Sequence, residues 1–259
     1  KNLDLFFSEE DILKEGYLKH TKDADITITE GVMGFYDGMS LDSVKGSSYD
    51  VAQTLGLPVI LVINARGAAM TLVATVKGIV EFSNIRGILL NRVSAMLYPR
   101  LKEMLENELA RIGHDEIKIV GYMPENEVFH LESRHLGLVT PQEMENLQEK
   151  VRQAGEILAK TVDLELLEKI AGEAAVWKAE VSEESEKIGN LKSLNYPVRI
   201  AVARDEAFCF YYKDNLELLE SLGCEVIEFS PLHDKKLPEN VKGILLGGGY
   251  PELYGKELA

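Results

Sequence analysis

Two α/β units, each built on a parallel sheet, are predicted by three features of the 259-residue sequence. Short β-branched runs alternate with segments whose apolar residues recur about every 3.6 positions. The alternation gives way after Thr140 to one long helical stretch and then to an acidic, polar one. It resumes at Pro197.

The first strands are expected at "DITIT" (25 to 29), "PVILVI" (58 to 63), "RGILL" (86 to 90) and "IKIVGY" (117 to 122). Helical spacing fills the gaps, as in "MTLVATVKGIVEF" (70 to 82) and "LYPRLKEMLENELARIG" (97 to 113). Strands alternating with helices call for a parallel sheet covered on both faces. Thr140 is a candidate N-cap, with Pro141 at the first helical position and Glu143 three residues beyond the cap, so a helix is expected over 140 to 162. From Asp163 to Asn195 the composition is that of a linker, least structured at "EVSEESEK" (180 to 187). The second unit follows as "VRIAVA" (198 to 203), a helix over "YKDNLELLESLG" (212 to 223), "EVIEFS" (225 to 230) and "GILLGGG" (243 to 249). Three strands and one helix are a marginal independent core. The expected organisation is therefore 1–162, a helical and acidic linker at 163–196, and 197–259, read as a fragment of a longer protein because Lys1 is not Met and the second pattern is unfinished at Ala259.

Composition narrows the function. A net charge of −15 repels polyanions, which argues against nucleic acid as a partner. The longest apolar runs fall far short of the roughly 20 residues that span a bilayer, so a soluble protein is expected. Two cysteines, Cys209 and Cys224, have no metal-ligand spacing and suit a reducing cytoplasm. Cys209 in "EAFCFYY" is flanked by aromatics and reads as packing, not as an activated nucleophile. The five histidines show no H-x-x-x-H or similar spacing, so a structural zinc site is not expected.

Open parallel sheets bind ligands at the carboxyl ends of their strands. Glu30, Asn64, Asn91 and the turn "GYMP" (121 to 124) each close or follow an expected strand, so one shared edge is predicted. Glu30 there is a candidate Mg²⁺ and phosphate-site group, and Gly31, Gly34 and Gly38 would let the backbone approach a ligand. The same residues also fit a solvated turn with Asp37 capping a helix. The Asn91 amide can both donate to and accept from an adenine edge. Arg66 in "NARGAAMT" could sit beside an anion, or simply in a strand-to-helix loop. Arg134 and His135, in the loop "PENEVFHLESRHLGL" (124 to 138), suit a polycarboxylate substrate, or alternatively a surface ion pair. In "LLGGGYPELY" (245 to 254), bare glycine N–H groups could face a developing oxyanion, although a tight turn explains them too.

Taken in order, "NLDLFF" (2 to 7), "EGVMGFYDG" (30 to 38), "GLPVILVINARG" (56 to 67), "GILLNRV" (87 to 93), "RHLGLV" (134 to 139), "RIAVARDEAFCFYYKDNLELLESLG" (199 to 223) and "LLGGGYPELY" resemble the cobyrinic acid a,c-diamide synthase family, including its relatives acting on nickel-sirohydrochlorin or hydrogenobyrinic acid. The resemblance implies a P-loop-type ATPase domain similar to dethiobiotin synthetase, followed by the start of a triad-type glutamine amidotransferase domain. It implies ATP as co-substrate, Mg²⁺ as cofactor, glutamine as nitrogen donor and a tetrapyrrole as acceptor, and leaves a homodimer open. Amidation of other side chains, as in cobyric acid synthase, and a non-catalytic nucleotide- or tetrapyrrole-binding protein are the alternatives. Carried over, Glu30 becomes a metal and catalytic group and Asp37 a catalytic or substrate-orienting one. Asn91 and Pro124 become nucleotide contacts, Arg134 and His135 substrate contacts, and Gly248 and Gly249 part of an oxyanion hole. The family's glycine-rich phosphate loop and its nucleophilic cysteine are absent from these 259 residues, and Asn64 stands where many relatives have Asp.

Overall fold

A computed structural model describes residues 2–82, 84–130, 144, 146–176 and 197–259. The chain divides into two compact units, one over 3–133 and 146–180, the other centred on 181–259.

The first unit opens with α1 (Glu10–Thr21), acidic in its first turn and basic in its last, as the helix dipole favours. Its Leu13 is buried against Val51 and Leu55, on and just after α2 (Ser48–Thr54). The parallel sheet follows: β1 (Val59–Asn64), α3 (Met70–Val80), β2 (Ile85–Asn91), α4 (Tyr98–Arg111) and β3 (Lys118–Met123), with strand order β1-β2-β3. Leu101, Leu105 and Leu109 recur every fourth position, so α4 presents one apolar stripe. That stripe packs with Val73, Val76 and Val80 of α3 against Ile88 and Leu90 of β2. A second cluster forms around Leu89 of β2, where Val120, Val162 and Ile170 are buried. It is supplied by α5 (Leu147–Thr161) and α6 (Leu164–Ala171). Asp163 donates its N–H to Val120 O (2.8 Å) and caps α6 through Leu166 N–H (2.9 Å). The opening of the expected linker is thus helix packed on the first sheet, because Leu166, Leu167 and Ile170 form an apolar face. The proposed cap residues Thr140, Pro141 and Glu143, and the acidic stretch 180–187, lie outside the described residues.

One expected strand is not formed. Residues 25–29 carry no strand, and Ile26 and Ile28 are 52% and 90% exposed. A β-branched run becomes a strand only where a ladder partner and an apolar face are supplied, and among the described residues β1 pairs on one side alone, with β2.

In the second unit β4 (Val198–Ala203) lies between β6 (Cys224–Phe229) and β7 (Gly243–Leu245), all parallel. Between β4 and β6 come β5 (Phe208–Phe210) and α7 (Lys213–Ser221). β5 pairs antiparallel with β8 (Gly248–Gly249), which leads into a 3-10 turn at Pro251–Tyr254. Ala201, Ala203 and Phe229 form the buried centre. Among the described residues no helix is long and apolar enough to cross a membrane.

Candidate functional site

In the first sheet the strand ends are level. Asn64 pairs with Asn91, and Asn91 with Met123, so Asn64, Asn91 and Pro124 reach one carboxyl edge. The ladder continues one step further through Ala65 N–H to Asn91 O (3.0 Å) and Val93 N–H to Met123 O (3.1 Å). Asn64 Oδ1 accepts from Arg66 N–H at 3.1 Å, a side-chain-to-backbone turn that shapes the β1 loop. No described hydrogen bond occupies the Asn91 carboxamide, which leaves both its donor and its acceptor available.

Two arginines converge at this edge. Arg92 Nη2 and Arg66 Nη1 donate to Glu125 Oε1 at 2.6 and 3.1 Å. The hydrogen bond from Arg92, and the charges of both arginines behind it, hold the Glu125 carboxyl below its ordinary range despite some desolvation. Two cations on one carboxylate leave a local positive charge in a chain of net charge −15. Arg92 adopts a left-handed backbone (φ 63°), a conformation that non-glycine residues seldom take. Glu125 and Arg92 were not singled out by motif, because the contacts that unite them join residues 33 and 59 positions apart.

The loop carrying Glu30 and Asp37 reaches its place without a strand. Ser48 Oγ accepts from Val32 N–H and donates to Val32 O, both at 3.0 Å, and Ser47 caps α2 through Asp50 N–H (3.1 Å). Tyr36 donates its hydroxyl to Ile79 O and packs with Phe35, Tyr49 and Phe82. A Cβ at Gly38 would fall 2.4 Å from Ser43 O, so this turn admits glycine alone. Glu30 and Asp37 are exposed, and neither side chain forms a hydrogen bond or ion pair with a described residue. The sheet register that gathers Asn64, Asn91 and Pro124 does not extend to Glu30. Arg134 and His135 lie outside the described residues.

The second unit's edge is built mostly from backbone. Asp205 accepts from Ala207 N–H (2.9 Å), Phe208 N–H (3.1 Å), Leu232 N–H (2.9 Å) and the Ser230 hydroxyl (2.8 Å). Partial burial works against its charge, but these donors, led by Leu232 N–H, outweigh it and lower the Asp205 pKa. Beside it, His233 Nε2 meets Glu206 Oε2 at 2.9 Å. The glycine turn is fixed by close approach: a Cβ at Gly249 would lie 2.1 Å from Ala207 O, and one at Gly247 2.4 Å from Tyr211 Cζ. Gly248 pairs with Phe210 and Gly249 with Phe208, and Tyr250 N–H donates to Ala207 O at 2.9 Å. Neither cysteine forms a disulfide, and Cys209 sits half-buried in β5.

Comparison with known proteins adds sequence-level identity to this geometry. Residues 199–259 match the CobB/CobQ-like glutamine amidotransferase domain family. The cobyrinate a,c-diamide synthase of Clostridium acetobutylicum is 41% identical over 262 residues, covering 100% of this chain and 56% of that protein. The cobyrinate a,c-diamide synthases of Clostridium tetani (40% over 261 residues, 55% of that protein) and Methanocaldococcus jannaschii (37% over 268 residues, 56% of that protein) also align with 100% of the chain. The chain spans about half the length of the curated relatives it matches. No solved structure matches it. From end to end, then, this chain is similar in sequence to cobyrinate a,c-diamide synthases, and its last 61 residues, 199–259, match the CobB/CobQ-like glutamine amidotransferase domain family.

Proposed function

We propose that this chain belongs to an enzyme that converts the a and c acetate carboxylates of cobyrinic acid, or of a related tetrapyrrole such as nickel-sirohydrochlorin, into amides with ATP and glutamine. The observation that carries the reading is the similarity of the whole chain to cobyrinate a,c-diamide synthases, joined to the amidotransferase match over 199–259. In this reading the first unit is the ATPase-type domain similar to dethiobiotin synthetase, and residues 197–259 begin the glutaminase.

The chemistry divides accordingly. A substrate carboxylate oxygen attacks the γ-phosphorus of ATP, ADP leaves, and an acyl phosphate forms. Ammonia from glutamine hydrolysis then attacks the acyl carbon, and phosphate leaves with the bonding pair. The uncommitted Asn91 carboxamide fits an adenine edge, with Pro124 bordering it, and the surplus positive charge of Arg66 and Arg92 favours an anionic ligand. The exposed, unpaired Glu30 carboxylate is a hard oxygen donor that fits Mg²⁺, which when bound offsets phosphate charge. Asp37, on the same pinned loop, takes the catalytic or substrate-orienting role in this reading. Gly248 and Gly249 supply backbone for the glutaminase oxyanion hole.

The test is to incubate the full-length gene product with cobyrinic acid or nickel-sirohydrochlorin, ATP, Mg²⁺ and glutamine, and to map the amides formed by mass spectrometry and NMR. Amides at a and c support the reading. Amides only at other side chains, or none with either macrocycle, overturn it.

A further inference from the structure

The aromatic segment "FCFYY" (208 to 212) precedes α7 and has no part in the chemistry above. Its Tyr211 is half-buried and bridges two remote pieces of backbone. The hydroxyl accepts from Gly247 N–H at 2.8 Å and donates to Ala203 O, the last residue of β4. Burial raises the Tyr211 pKa, while the Gly247 N–H opposes that rise. The ring also fills the space where a side chain at residue 247 would stand, with Cζ, Cε1 and the hydroxyl oxygen all 2.4 to 2.8 Å from a Cβ built there. On the same segment, Phe208 and Phe210 pair with Gly249 and Gly248. One short stretch therefore templates all three glycines.

We propose that Tyr211 is a positioning residue for the glycine turn: it fixes the first glycine to the end of β4, which aims the backbone at Gly248 and Gly249. A glycine run has more conformational freedom than any other backbone, so an oxyanion donor built from it needs an external template to be pre-organised. This rests on the amidotransferase reading above. Tyr211 acts through the turn and does not touch the reacting atoms.

The test compares Tyr211→Phe with Tyr212→Phe in the full-length gene product. Tyr212 is exposed and precedes α7, so its variant controls for loss of a phenol. Hydrogen exchange of peptides spanning 246–250 should quicken by about tenfold in Tyr211→Phe, as expected for one lost hydrogen bond, with peptides over β4 and β6 unchanged. Glutamine hydrolysis should lose about tenfold in kcat with little change in KM, while ammonia-driven amidation stays intact. Unchanged exchange at 246–250 overturns the proposal. So does faster exchange with an unchanged kcat. If the unsubstituted enzyme hydrolyses no glutamine, the amidotransferase reading fails first and the proposal with it. That outcome is seen before any variant is made.

Discussion

At the carboxyl edge of the first sheet, exposed side chains join the strand ends; at the edge of the second, backbone and a partly buried carboxylate do so. Glu125 holds Arg66 and Arg92 by ion pairs whose partners are all open to solvent, and such pairs are worth little to stability. Asp205 instead collects four donors from two separate segments, Ala207 and Phe208 in one and Ser230 and Leu232 in the other, and Tyr211 stitches β4 to the glycine turn. The contrast teaches that the two edges suit different kinds of ligand contact. The first offers loosely held charged and amide side chains that a charged ligand can recruit. The second offers fixed backbone, as a site that must present N–H groups in one geometry requires.

Disabling the second edge should therefore cost most. Asp205→Asn keeps the shape but turns an amide N–H toward the donors at Ser230 and Leu232, and should destabilise the protein by about 3 kcal/mol in urea titrations. Gly249→Ala should follow at about 2 kcal/mol, since its methyl collides with Ala207 O. A pH titration sharpens the same point. The native Asp205 pKa lies below its ordinary 3.8, so the unfolded chain binds the proton more readily. The stability it contributes is complete above that ordinary value and is lost as pH falls through the lower native one, and Asp205→Asn should abolish this part of the acid dependence. At the first edge, Glu125→Gln should cost less than about 1 kcal/mol, shrinking further in 1 M salt. A larger loss there than for Asp205→Asn would erase the distinction.

Much of this was legible in the residues. β1, β2, β3, β4 and β6 fall within two residues of the expected runs, because each pairs an apolar run with a ladder neighbour. From that alternation the common edge of Asn64, Asn91 and Pro124 followed. "DITIT" misled because five β-branched and polar residues cannot reveal whether a partner strand exists. The short helix α2 was missed, although Ser47 and Asp50 carry an N-cap signal ahead of Val51. The residues that shape the two edges were not legible for a different reason. Glu125 to Arg92, Asp205 to Leu232 and Tyr211 to Gly247 are contacts across 33, 27 and 36 positions, and local spacing carries no information about them.

The central claim, that nucleotide chemistry belongs to the first edge and ammonia release to the second, is most directly tested by supplying nitrogen in two forms. Full-length Asn91→Ala and Gly249→Ala would each be assayed for amidation with glutamine and with ammonium as donor. The account predicts that Asn91→Ala loses amidation with both donors, whereas Gly249→Ala loses it with glutamine and keeps it with ammonium. Equal loss with both donors in Gly249→Ala, or undiminished activity in Asn91→Ala, would contradict it.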